Sequence, residues 1–222
     1  IPLRLVGSEM CIRDSNVFLP AKTGDLVKSY FVATRGAVTP GVALSIVVYE
    51  RLCDLGALIA WCLVGWAFSR PDVPGLSPLF WAALAMVGAV CLALASSERA
   101  ATALVSLAQR GWPAGRARKL RSLLDGWPAL LRTLRGRRTG IIAFSLLLWL
   151  THLVQIWGFT LAFPVAVPFA AGASLSALAL MAGQVPFTIA GLGARDAALV
   201  VLLARYMPTE TAAALGVLLT TR

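Results

Sequence analysis

The chain has 222 residues, of which 59% are hydrophobic and 14% are charged, and its formal net charge is +10. This composition is typical of a polytopic membrane protein and argues against a soluble domain. Nine Arg and one Lys lie in the segment from Arg99 to Arg138, against the single acid Asp125. Because this basic segment lies between apolar spans, it indicates a cytoplasmic loop beside anionic lipid rather than a nucleic-acid interface.

The two ends of the chain are treated separately from its fold. Residues 1–15 show no helical or strand periodicity and resemble a translated adapter sequence, so we exclude them as non-native. The chain stops at Arg222 inside an apolar helical pattern. We therefore expect one transmembrane domain over residues 16–222, truncated at both ends, with a basic cytoplasmic segment at residues 98–139.

Four apolar stretches have the pattern of membrane helices. They cover residues 41–69, 77–96, 141–163 and 169–185, the last being short for a full crossing. A turn and half-helix at residues 16–34 precede them, and a short helix to Tyr206 and a final apolar segment follow. These patterns predict an all-α, polytopic, multi-pass protein of the cytoplasmic membrane, with about five to six transmembrane helices in this chain. Residues 70–75, between the first two spans, should lie outside the cell.

Three charged residues interrupt the first span: Glu50, Arg51 and Asp54. At about 100° per residue they share one arc of roughly 100°, so they can face one place together. Each costs about 2.5–3.5 kcal/mol near the centre of a membrane helix, a penalty tolerated where the arc faces other helices or a wet cavity. This pattern indicates a functional site. The alternative is that the three side chains lie at the headgroup boundary and extend into it.

Within the basic segment, apolar residues recur at helical spacing opposite the charged ones: Leu120, Leu123, Leu124, Trp127, Leu130, Leu131 and Leu134. This pattern predicts an amphipathic helix in the headgroup plane. The alternative is two extensions of the flanking spans, joined at Gly126 to Pro128.

His152 and Gln155 lie about 60° apart on the third predicted span and therefore on one face. An intramembrane His can relay protons or contact a headgroup. It can equally form hydrogen bonds between helices. We keep both residues as secondary candidates.

Residues 185–196 form a stretch broken by Pro186, Gly191 and Gly193 between apolar segments. Backbone without helical bonds is tolerated at membrane depth only beside protein or water, which favours a re-entrant element over an interfacial loop. The order of elements also repeats, since residues 42–51 resemble residues 213–222, and residues 19–28 resemble residues 185–196. Paired, interrupted segments of this kind indicate a binding site at a repeat interface.

These residues resemble the transmembrane region of lysylphosphatidylglycerol synthases and the related flippase-like membrane proteins. The resemblance covers residues 16–222 and is carried by Asn16, Leu19-Pro20, Gly24-Asp25, Tyr49-Glu50-Arg51, Asp54, Pro186, Gly191-Leu192-Gly193, Arg195-Asp196 and Arg222. Asp196 stands where the family usually has Glu, and Lys28 where Arg is usual. The resemblance implies an all-helical membrane domain that handles lipids, and in some members moves an aminoacylated or glycan-linked lipid between leaflets.

The sequence therefore predicts a protein that binds and translocates a phospholipid or another lipid with a polar headgroup. The expected headgroup or translocation site comprises Asp25, Lys28, Glu50, Arg51, Asp54, Arg195, Asp196 and Arg222. The alternative is an accessory membrane domain of a lipid-modifying enzyme, with an oligomer or a soluble catalytic domain as partner. We expect no catalytic residues, no cofactor and no metal, because the sequence lacks the usual nucleotide-binding and metal-binding motifs.

Overall fold

The computed structural model describes residues 39–71, 76–100, 102–103, 106, 126–184 and 193–220. Within these ranges the chain forms helices joined by turns and short irregular segments, and no strand is present. The main helices are α1 (Pro40–Ser69), α2 (Pro78–Ser96), α3 (Gly126–Thr133), α4 (Arg138–Thr160), α5 (Phe169–Ala182), α6 (Ala194–Leu203) and α7 (Thr209–Thr220). The predicted all-α, polytopic membrane architecture is confirmed.

Three of these helices, α1, α2 and α4, are long and apolar enough to cross a membrane. Pro40 occupies the first turn of α1, where a missing backbone N–H costs nothing. Helix α2 begins after Ser77, whose hydroxyl accepts a hydrogen bond from the backbone N–H of Phe80. The outward faces of α2 and α4 expose large apolar side chains, among them Leu79, Met86, Leu92, Phe144 and Leu147. Such a surface is suited to contact with lipid.

Contacts between α1 and α2 fix their relative depth. The two helices are antiparallel, because Gly88 lies against Ile59 and Gly56 lies against Cys91. Ser96 lies eight residues after Gly88 on α2, and Arg51 lies eight residues before Ile59 on α1. Helix α2 therefore ends at the level of Arg51. Helix α4 begins at the same level, since the Arg138 guanidinium donates to the Ser96 carbonyl at 2.7 Å.

The three long helices therefore share an apolar layer that begins at the level of Arg51 and ends at Ser69 on α1. At 1.5 Å per residue this layer is about 27 Å thick, close to the ~30 Å hydrocarbon core of a bilayer. We call the side of the layer that carries Ser96 and Arg138 the basic end. Residues 40–50 of α1 extend beyond it by roughly 16 Å. The long first helix thus protrudes at the basic end.

Helix α3 covers this protruding part of α1. A Cβ at Gly126 would lie 2.4 Å from the backbone of Gly41, so only glycine allows this approach. Trp127 packs against Tyr49 with ring centroids 6.0 Å apart, and Leu130 and Leu131 are buried beside them. Arg132 and Arg135 are exposed. The amphipathic pattern is confirmed over the described part of the segment, although the turn to α4 falls at residues 134–137 rather than at residues 126–128.

The helices α5, α6 and α7 have 14, 10 and 12 described residues, and α5 and α6 are too short to cross a bilayer alone. Helix α5 is antiparallel to α1, because Gly65 lies against Ala170 and the Ser174 hydroxyl donates to the Cys62 carbonyl at 2.9 Å. Helix α6 packs on α5 and α7 around one apolar cluster that contains Leu175, Leu199, Leu203, Met207 and Leu215. These helices form a second, compact unit beside α1.

Candidate headgroup site

The first turn of α6 carries an ion pair between adjacent residues. The Arg195 guanidinium donates to Asp196 Oδ1 through Nε at 2.9 Å and through Nη2 at 2.7 Å. An acid in the first turn also lies near the positive end of the helix dipole. Gly193, with φ of 89°, precedes the helix in a backbone conformation that favours glycine. The two charged side chains of this pair therefore both project from the first turn of α6.

Helix α7 holds the same guanidinium from the other side. Arg195 Nη2 donates to the Thr220 hydroxyl at 2.6 Å and to the Gly216 carbonyl at 3.3 Å. A Cβ at Gly216 would lie 3.1 Å from the Asp196 carboxyl group, and a Cβ at Gly183 would lie 3.0 Å from Arg195 Cβ. Two glycines thus let α5 and α7 approach the pair closely. Arg195 connects three helices.

The predicted charges of the first span form a looser arrangement on α1. Arg51 Nη1 lies 4.0 Å from Asp54 Oδ2. Asp54 Oδ1 accepts a hydrogen bond from the indole N–H of Trp149 on α4 at 3.0 Å. Glu50 is exposed, and the Arg51 side chain is 41% exposed. Sequence reasoning did not single out Trp149, although it lies three residues before His152 and so on the same helix face.

Both ion pairs lie at one depth. Gly183 is nine residues beyond Ser174 on α5, and Cys53 is nine residues before Cys62 on the antiparallel α1. Gly183 and the adjoining Arg195 therefore lie level with Cys53 and Asp54. This level is about one helical turn inside the basic end of the apolar layer. Glu50 and Arg51 lie at the boundary itself, which is the depth that the alternative interpretation of these charges requires.

The charged arc and the second unit are on the same side of α1. Leu58, two turns beyond Arg51 on the same face, is buried in a cluster with Ala173 and Ala177 of α5. Helix α4 borders the arc on its other side through Trp149 and Asp54. The arc therefore lies between α4 and the end of α5, at the level of the Arg195–Asp196 pair.

The other predicted residues divide into two groups. His152 is partly buried, and its ring centroid lies 5.5 Å from that of Trp149. His152 is thus connected through Trp149 to Asp54, while Gln155 is partly buried one turn further along α4. Asp25, Lys28 and Arg222 lie outside the described residues. The predicted re-entrant stretch is described only from Gly193 onward, and the first copy of the predicted repeat only from residue 39.

Comparison with known proteins identifies the family of the chain. The family model described as lysylphosphatidylglycerol synthase TM region matches residues 12–220. No curated protein matches the chain. No solved structure matches it either. This family model covers nearly the whole chain, including the described helices and both ion pairs. The chain therefore belongs to the lysylphosphatidylglycerol synthase transmembrane-region family.

Proposed function

We propose that the chain binds a phospholipid by its polar headgroup and moves it between the leaflets of the cytoplasmic membrane. The observation that supports this is the level shared by the two ion pairs. Near the start of an otherwise apolar layer, Arg51 and Asp54 remain partly exposed, with side-chain exposures of 41% and 22%. Asp54 and the Arg195–Asp196 pair lie about one helical turn inside this layer, where charges are costly and indicate a functional pathway.

In this proposal Arg51 contacts the lipid phosphate. A guanidinium offers paired N–H donors that match phosphate oxygens, and the Arg51 side chain is 41% exposed. Asp54, held by the Trp149 indole, and Glu50 orient the guanidinium or meet an amino group on the lipid. Asp25, Lys28 and Arg222 complete the site through the family pattern. We assign no catalytic step to these residues.

Movement across the bilayer is supported by the short helices. Helices α5 and α6 are about 21 and 15 Å long, against a core of about 30 Å. Broken helices that end inside the membrane are common at transporter binding sites, because their ends can face a polar cavity. Arg195 fixes the start of α6 at the level of Asp54, so a headgroup held by Arg51 lies beside these helix ends.

The second candidate is an accessory membrane domain that presents lipid to a lipid-modifying enzyme. The family description, which names a synthase, favours it. The two functions make different demands on the protein. A presenting domain needs to bind the headgroup on one side of the membrane, whereas a translocase must change the distribution of the lipid between leaflets without a catalytic partner.

The test replaces Arg51 by Gln in the full chain, reconstituted into vesicles with fluorescent phospholipids of different headgroups. Hydrogen bonds to charged groups contribute about 1.5–3 kcal/mol, so transfer between leaflets should fall roughly 10- to 100-fold. Arg51→Lys should restore only part of it, because an ammonium lacks the planar fork. Arg132→Gln is the matched control, since Arg132 is an exposed arginine of the basic end outside the site.

The amount of inserted protein is measured in the same vesicles. A well-inserted Arg51→Gln variant that moves lipid at the normal rate would refute the site. Wild-type protein that binds the fluorescent lipids but does not redistribute them would instead favour the accessory domain.

A further inference from the structure

A groove lies on the opposite side of α1 from its charged arc. It forms a cavity of about 280 Å³ between α1, α2 and α4. Helices α2 and α4 both pack on α1, but in the described residues they make little contact with each other. At about 100° per residue, the groove residues of α1 are centred roughly 160° from Glu50, Arg51 and Asp54. The groove is therefore separate from the proposed headgroup site.

The lining of the groove is apolar and built largely from small side chains. Gly56, Ala57 and Ala60 form its floor on α1, while Ala85 and Ala89 form one wall on α2. Ile142 and Leu146 form the other wall on α4. A volume of 280 Å³ lies just below the usual range of about 300–1,000 Å³ for ligand pockets. The apolar lining suits a hydrocarbon chain, and the residues that line the groove offer no charged side chain to a headgroup.

The depth of the groove matches one leaflet. On α1 it runs from Leu52, at the basic end of the apolar layer, to Leu63. This distance is about 16 Å at 1.5 Å per residue, close to half of a ~30 Å hydrocarbon core. A lipid of the leaflet at the basic end could therefore lay one acyl chain along the whole groove.

The basic end of the groove carries positive charge. Ala95 and Ile142 line the groove there, and the next polar groups are the Ser96 carbonyl and the Arg138 guanidinium, which are 2.7 Å apart. Arg138 also donates to the Leu131 carbonyl. These bonds use three of its five N–H donors and hold the guanidinium between the ends of α2 and α3. Arg135 and Arg137, which shortly precede Arg138 in the sequence, are exposed.

We propose that this groove holds one acyl chain of an anionic phospholipid, whose phosphate contacts Arg138 at the basic end. The lipid is a resident of that leaflet and fills the space that α2 and α4 leave open over α1. Charge complementarity selects an anionic headgroup, and the length of the groove selects a chain that ends near the bilayer midplane. This assignment does not depend on the translocation proposed above.

The test uses the full chain in vesicles with phosphatidylglycerol that carries a photoreactive diazirine midway along one acyl chain. After illumination, the labelled residues are mapped by mass spectrometry. Label should concentrate on residues 52–63 of α1 and residues 85–95 of α2. Label spread evenly over the outward faces of α2 and α4, or missing from the groove because another protein segment covers it, would overturn the proposal.

Two variants and a second probe sharpen the result. Ala89→Phe fills the groove and should lower labelling of α1 at least fivefold, whereas Ala83→Phe, an exposed position of α2 outside the groove, should leave it within twofold. Ala89→Phe should still move lipid at the rate that Arg51 supports, which separates this proposal from the preceding one. Phosphatidylcholine with the same diazirine chain should label the groove at least threefold less. Equal labelling by both lipids would exclude the selection of an anionic headgroup at Arg138.

Discussion

The two Arg–Asp pairs lie at the same depth but are held very differently. Arg195 and Asp196 are 2.7 Å apart with side-chain exposures of 18% and 30%, whereas Arg51 and Asp54 are 4.0 Å apart with exposures of 41% and 22%. Arg195 also binds two groups of α7. The tight pair directs its donors into the protein, and the loose pair leaves a guanidinium accessible.

This difference suggests a division of roles among charges that look alike in the sequence. A guanidinium that links α6 to α7 has little freedom to adjust to a ligand, so Arg195 serves mainly to position the start of α6. The Arg51 side chain is more exposed than that of Arg195, at 41% against 18%, and the proposed contact with phosphate needs this exposure. The predictions below test whether stability depends on the first pair and lipid movement on the second.

The largest effect on stability should come from Arg195→Gln. Breaking a buried ion pair by removing one partner costs about 3–5 kcal/mol, and partial exposure of both side chains places the expected loss near 3 kcal/mol. Arg51→Gln should cost less than about 1 kcal/mol, as for exposed pairs. Thermal unfolding in detergent measures both. Equal losses in the two variants would contradict the division of roles.

A smaller effect should follow from Gly216→Ala. The added Cβ would lie 3.1 Å from the Asp196 carboxyl group, so either this carboxyl group or α7 must shift by a few tenths of an ångström, which disturbs the tight pair. Overpacking of this kind costs about 1–3 kcal/mol. Gly158→Ala is the control, because a Cβ at Gly158 on α4 meets nothing within 4 Å. Urea titration of the purified protein would refute the prediction if the two variants were equally stable.

The long helices could be predicted from the sequence because their signal is local. An apolar run of sufficient length indicates a membrane helix whatever surrounds it, and α1 and α2 begin and end within one residue of the predicted bounds. The predicted start of the third span was wrong. Arg138 and Thr139 were assigned to the basic loop, although they begin α4. Arg138 belongs to the helix because its guanidinium binds carbonyl groups at the ends of α2 and α3.

The depth of the charges could not be predicted, because depth depends on neighbouring helices. Periodicity correctly placed Glu50, Arg51 and Asp54 on one arc of α1, near the middle of its length. The ends of α2 and α4 show instead that the apolar layer begins at Arg51. The partners of Arg195 were also missed, since Gly216 and Thr220 lie more than twenty residues away and carry no pattern that points to it.

A smaller effect than that of Gly216→Ala should come from Trp149→Phe, which removes one indole N–H and keeps an aromatic ring beside His152. A hydrogen bond to a charged group is worth about 1.5–3 kcal/mol, but Asp54 is partly exposed and water can replace the donor, so we expect a loss near 1 kcal/mol.

Trp61→Phe is the matched control. It removes an indole N–H that bonds across the same α1–α4 contact, to the Leu146 carbonyl at 2.9 Å. Both variants should lose similar stability, because each loses one interhelical hydrogen bond. Only Trp149→Phe should slow lipid movement, since Trp149, unlike Trp61, donates to the carboxylate that faces Arg51. If Trp61→Phe slowed lipid movement as much, the packing of α4 on α1 would matter rather than the orientation of Asp54, and the loose pair would lose its proposed role.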